Sequence, residues 1–143
     1  MESIILEIPG KPIAKKRPRF ARRGKFVTTY SDQETEEGKF LLLALQQIGD
    51  RKPLEGPITI SAEFFMPIPK STSKKKTLLM EAGTIQHTKK PDIDNLIKFP
   101  LDVLNGVLWK DDSQVVSIFA SKNYSLVPMT KILVRGYGQT KKL

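Results

Sequence analysis

The sequence predicts an α+β fold: one domain over residues 1–143, with two main helices and a mixed or antiparallel sheet of four to five strands. Three observations lead there. A chain of 143 residues suits one compact domain and leaves little room for a second. A hydrophobic fraction of 39% is enough for a core. Short β-branched runs alternate with two stretches at helical spacing in the order ββαβ, loop, αββ, with no internal repeat or linker.

The elements follow in turn. Residues 3–8 are short, apolar and β-branched, and Pro9-Gly10 ends them as a strand. Residues 11–24 carry too many charges to be buried and are expected as a loop. Lys25 to Tyr30 alternates as a second strand. Ser31 or Asp32 then caps a helix, with Glu34, Glu36 and Glu37 in its early turns, where free N–H groups favour acids. Phe40, Leu43, Ala44 and Gln47 continue it, and Gly49-Asp50 ends it. Pro57 to Met66 is the clearest strand, with Ile58, Ile60, Ala62 and Phe64 on one face and Pro67 and Pro69 as stops.

Residues 70–90 allow a short helix from Lys74 to Ala82. No apolar face is complete there, and the stretch is expected mostly as a mobile basic loop. A second main helix runs from about Asn95 to Asn105 and stops at Gly106, burying Ile97, Leu101, Leu104 and Leu108. Pro100 inside it removes a bond to the Leu96 carbonyl and predicts a kink. Val115–Ala120 and Thr130–Arg135 complete the strands, and the tail after Gly136 is polar.

Charge narrows the function. The formal net charge is +9, which points to a polyanionic partner. No apolar run approaches the roughly 18 residues of a membrane span, and residues 1–20 lack a signal-peptide core. With no cysteine there is neither a disulfide framework nor a thiolate metal site, so a reducing, cytoplasmic setting is expected. Residues 1–25 hold eight basic side chains against Glu2 and Glu7, and residues 70–90 hold six lysines against Glu81. Residues 92–112 reverse the sign, with five aspartates against Lys98 and Lys110. An acidic island in a basic chain suits a metal site on a phosphate-binding surface.

Asp92 and Asp94, two apart in extended backbone, project to one face beside the start of a helix. Lys98 and Asp102 follow at successive turns, and Asp111-Asp112 arrives as the next strand begins. Carboxylates about 4 Å apart repel by roughly 4 kcal/mol per pair at an effective dielectric of 20, so gathering them calls for a cation. An oxygen-only donor set without cysteine or a histidine cluster suits a hard ion, Mg²⁺ above all. Taken separately, Asp94 or Asn95 reads as a helix cap and Asp111-Asp112 as a solvated turn. Taken together within this short span, the metal site is favoured.

The spacing Asp92-x-Asp94-Asn95-x-x-Lys98-x-x-x-Asp102-x-Leu104-Asn105-Gly106, then Asp111-Asp112-x-Gln114-Val115, resembles the RusA family of phage-type Holliday-junction resolvases. The opening Gly10-Lys11-Pro12, Lys15-Lys16-Arg17-Pro18-Arg19 and Thr29-Tyr30 are similar to the family's amino-terminal stretch. The likeness covers about residues 8 to 116, and its second block is the more specific. It implies a homodimeric, Mg²⁺-dependent endonuclease of a bacterial or phage-infected cell that nicks two opposed strands of a four-way DNA junction. Mn²⁺ is an admissible substitute, and one ion or two stays open. Residue by residue, it carries the metal-binding and catalytic aspartates onto Asp92, Asp94 and Asp112, and the functional lysine onto Lys98.

Phosphate contacts are expected from Lys15, Lys16, Arg17, Arg19, Arg22 and Arg23, from Lys89 and Lys90, and from Lys74, Lys75 and Lys76, where a plain solvated lysine run weighs equally. His87 is assigned no role. For Trp109 the core reading outweighs stacking on an exposed base. The rival function is a non-catalytic DNA- or RNA-binding domain, and a weaker one is a basic protein-interaction module.

Overall fold

In a computed structural model, residues 2–17 and 33–138 are described in full and residues 19–23 and 26–30 by their backbone. Strand β1 spans Glu2–Pro9, β2 Arg19–Arg23, β3 Phe26–Tyr30, helix α1 Glu34–Ile48 and strand β4 Ile58–Pro67. Helix α2 spans Lys74–Glu81, α3 Ile93–Leu104, β5 Val115–Ser125 and β6 Met129–Gly136. β1, β6, β4 and β5 form one four-stranded sheet in that order, and β2 and β3 form a separate two-stranded ribbon. β6 is antiparallel to both β1 and β4, while β4 and β5 run parallel, so the sheet is mixed.

Period two sets the sheet's inner face. Ile4, Leu6 and Ile8 of β1, Ile58 to Met66 at alternate positions of β4, and Ile132 and Val134 of β6 are all buried. α1 packs over β1 and against α3, and α3 reaches β5. Phe40 of α1 meets Phe99 of α3 edge-on, ring centroids 5.5 Å apart, a geometry worth about 1 kcal/mol beyond the area it buries.

Three expectations are corrected. The basic stretch 11–24 is not all loop: β2 lies within it, paired antiparallel with β3 from Arg19 opposite Tyr30 to Arg23 opposite Phe26. The stretch 70–90 is not mostly loop either: the short helix allowed from Lys74 to Ala82 forms at Lys74–Glu81, capped by the Ser73 hydroxyl, which accepts from the Lys76 amide, and joins the two main helices. β5 also runs on to Ser125, past Ala120.

Two boundaries move as well. Position N-cap of α1 falls on Gln33, and Ser31 and Asp32 lie outside the described residues. α3 begins at Ile93, with Asp92 as its N-cap residue, and passes through the buried Pro100 to Leu104 as one element. Its fully buried positions are Leu96, Phe99, Pro100 and Leu104, while Ile97 and Leu101 are half-buried, so the core-facing stripe is rotated from the expected one. Trp109 is fully buried, as the core reading has it. Among the described residues no helix is long and apolar enough to cross a membrane.

Candidate metal and nucleic-acid site

The head of α3 is built by the segment before it. Lys89 and Pro91 give their carbonyls to the ammonium of Lys122 on β5, at 2.7 and 3.0 Å. Their chain enters the helix at Asp92, whose backbone is still extended, and whose carbonyl accepts from the Leu96 amide. Asp94 is already helical, in the first turn beside the free N–H groups, instead of two apart from Asp92 on one extended face. Both carboxylates are exposed and have no hydrogen bond or ion pair among the described residues. Lys98, one turn on, is exposed and likewise unpaired among the described residues.

Asp102, the next member of the stripe, has a partner. The Lys15 ammonium lies 3.1 Å from its carboxylate and 3.3 Å from that of Glu37, and the Lys15 amide donates to the Asn95 carbonyl at 2.8 Å. Burial works against the ammonium, but the hydrogen bonds and charges of Asp102 and Glu37 prevail and raise its pKa. Lys15 thus ties the amino-terminal segment to α3, and its charge is largely spent. Lys16 lies 3.5 Å from Glu36 and remains mostly exposed. Arg17, Lys74, Lys75, Lys76, Lys89 and Lys90 are exposed, whereas the side chains of Arg19, Arg22 and Arg23 lie outside the described residues.

At the other end of α3 the chain turns through Asn105-Gly106 and returns as a 3₁₀ turn at Asp112–Gln114. Asp111 caps that turn: its carboxylate accepts from the Ser113 amide at 3.0 Å, and the Gln114 side chain accepts from the Asp111 amide at 2.8 Å. Hydrogen bonds from the Ser113 hydroxyl and from its amide hold the Asp111 carboxyl below the usual range. Asp112 is exposed and accepts from the Trp109 indole N–H at 2.8 Å. Gln114 clamps the turn by donating to the Leu54 and Gly56 carbonyls at 2.9 Å, ahead of the start of β4.

The consequence is a separation. Asp92 and Asp94 stand at the amino end of α3, a helix of twelve residues and so about 18 Å long at 1.5 Å per residue, and Asp112 follows in the turn beyond its carboxyl end. In keeping with this, no three acidic or histidine side chains gather into a metal cage among the described residues. The structure pairs Asp92 with Asp94 at one turn and leaves Asp112 apart. By donor chemistry these oxygens fit a hard divalent ion; within one chain they do not close around it.

Lys122 is the residue that sequence reasoning missed. It comes from β5, thirty residues beyond Asp92, and nothing in the local pattern marks it. His87 is the second: it is buried against Tyr124, with ring centroids 4.8 Å apart, and its Nδ1 has no hydrogen-bond partner among the described residues.

Comparison with known proteins agrees with this arrangement of motifs. The family model described as endodeoxyribonuclease RusA matches residues 9–135. An uncharacterized protein, YqaN, of Bacillus subtilis (strain 168) is 35% identical over 138 residues, covering 94% of this chain and 97% of that protein.

Proposed function

The chain belongs to the RusA family of endodeoxyribonucleases, and from that membership we propose that it is a Mg²⁺-dependent resolvase. It nicks two opposed strands of a four-way junction as a homodimer, in DNA recombination and repair. The observation that carries the reading is the unpaired, exposed couple Asp92 and Asp94 on the first turn of α3, inside the matched span and bordered by Lys89 and Lys90.

Mg²⁺, or Mn²⁺ in its place, would be held by Asp92, Asp94 and Asp112 and would supply Lewis-acid polarisation of the scissile phosphate. Lys98 has its charge free to face that phosphate and stabilises the negative charge that grows as water attacks. Lys16, Arg17, Lys89, Lys90 and the lysines of α2, with Arg19, Arg22 and Arg23, grip the backbone without reading sequence. Lys15 contributes by fixing Asp102 and the amino-terminal segment against α3.

The lack of a closed set of acids among the described residues supports a homodimer for a second reason besides paired cutting. A site that one chain leaves open is closed by a second copy. Among the described residues the outer edge of β5 is unpaired and displays Val116, Ile118 and Phe119, 65%, 46% and 66% exposed. Asp112 and Tyr124 each lie six positions from Ile118. Antiparallel pairing of β5 with its copy about a two-fold at Ile118 would set the partner's Asp112 opposite Tyr124. That is the end of the strand where Lys122 holds the Pro91 carbonyl beside Asp92.

The test is incubation with a synthetic four-way junction in Mg²⁺, with EDTA as control. Symmetric nicks in opposed strands are expected, with linear duplex spared. Tight junction binding that leaves the DNA intact in both Mg²⁺ and Mn²⁺ would favour a non-catalytic binding domain instead.

A further inference from the structure

A cavity of about 630 Å³ opens beside the head of α3, within the roughly 300–1,000 Å³ range of small-ligand sites. Its floor is apolar, from Ile13, Phe40 and Leu43, and Pro91, the residue before Asp92, forms one side. Another part of the lining is preformed. The buried Gln33 side chain donates to the Ala14 carbonyl at 2.8 Å and accepts from the Lys16 amide at 2.7 Å, and the Lys15 amide is bonded to Asn95 in the turn that carries Asp94. Four lysines line this space. The ammonium groups of Lys15 and Lys16 face Asp102, Glu37 and Glu36, whereas Lys11 and Lys39 have no ion pair among the described residues.

An apolar floor with two uncommitted cations at its mouth matches a ligand that is flat and apolar in one part and anionic in another. We propose that the cavity receives one unstacked nucleotide of the bound DNA strand, its base on the floor and its flanking phosphates on Lys11 and Lys39. The proposal rests on the nuclease reading above and adds a recognition site to it. Taking a base out of a duplex costs a few kcal/mol, least where pairing is already interrupted, so a branch point is where the site can fill. Contact of the base with apolar side chains offsets that cost by roughly 1–3 kcal/mol. Since Pro91 adjoins Asp92, the captured nucleotide lies next to the phosphate that is cut, and it fixes which phosphate reaches the acids.

The experiment places 2-aminopurine at successive positions around the crossover of a four-way junction and follows its fluorescence on adding wild-type protein in EDTA. Unstacking at one position beside the nick should raise the signal severalfold. Ala14→Leu, which narrows the cavity, and the double variant Lys11→Gln/Lys39→Gln should each abolish the rise and scatter the nicks over neighbouring phosphates. The double variant should also flatten the salt dependence of binding by about 1.4 in log–log slope, at roughly 0.7 per contact on an unpaired strand. A junction that is bound and nicked with no rise at any position, or a rise that persists in both variants, overturns the proposal and leaves the nuclease reading standing. Free mononucleotide that binds the cavity and is not displaced by junction DNA also overturns it. No binding and no nicking removes both readings together.

Discussion

Asp111 gives both its carboxylate and its amide to the 3₁₀ turn, whereas Asp112 accepts one hydrogen bond from Trp109 and keeps the rest of its carboxylate exposed. The family resemblance chose Asp112 of the pair, and their partners distinguish a cap from a candidate ligand. Asp92→Asn, Asp94→Asn and Asp112→Asn are each expected to lower cleavage by roughly a hundredfold or more, the scale of several kcal/mol of transition-state stabilisation. Junction binding should hold or tighten, because a charge that repels phosphate is gone. Asp111→Asn should keep most of its turnover and lose thermal stability instead; gel assays of nicking beside melting curves decide, and near wild-type turnover in any of the first three removes that residue from the site. Lys98 faces solvent and pairs with no carboxylate among the described residues, not even Asp94 or Asp102 one turn away. Lys98→Met should reduce turnover by roughly a hundredfold with little change in affinity. Weakened binding with turnover preserved at saturation would make it a ground-state phosphate contact.

Among the elements, α3 and β4 were legible because their apolar residues recur at a single period over ten or more positions. α2 was not. It buries no residue, and its first turn carries three lysines where the helix end already bears partial positive charge. The Ser73 cap and packing against β5 hold it in spite of that pattern. β2 was hidden by its charges, although Gly24-Lys25 between two short runs was a usable hairpin signal. The segment joining α2 to α3 carries its own test. Burial lowers the pKa of His87 and the nearby charges of Lys122 and Lys89 lower it further, against a backbone hydrogen bond that raises it. The fold therefore holds neutral imidazole while the unfolded chain takes up a proton near pH 6.5. The unfolded state binds more protons in that window, so stability is full above it and declines as pH falls through it toward the depressed folded value. Melting temperature should drop between about pH 7 and pH 5, and His87→Gln should flatten the drop; an unchanged slope would mean that other groups cause it.

At the scale of the molecule, the sequence offered candidate residues for the site but not how the fold groups them. Motif spacing nominates side chains; it does not say that a helix about 18 Å long intervenes and that no three acids gather among the described residues. A mixing experiment distinguishes a site built by two copies from one built within a chain. Asp92→Asn and Asp112→Asn proteins are each expected to be inactive alone. If each site combines Asp92 and Asp94 of one chain with Asp112 of the other, the mixed dimer keeps one intact site, and nicking of one strand returns. If each chain supplies its own three acids, every site in the mixture is damaged and nothing returns. Ile118→Lys should leave the protein folded and monomeric by sedimentation, because it puts charges face to face across the proposed edge.

The gap between the two ends of α3 also bears on when cutting can occur. If neither chain holds a whole set of acids, an isolated subunit is catalytically silent, however firmly its lysines hold DNA. Below the dimer dissociation constant, the initial rate then rises with the square of protein concentration instead of in proportion to it. A few stray copies scattered along a chromosome would leave it uncut, and incision would begin only where two copies meet. The helix that supports the core would serve in this way as a threshold against accidental breakage.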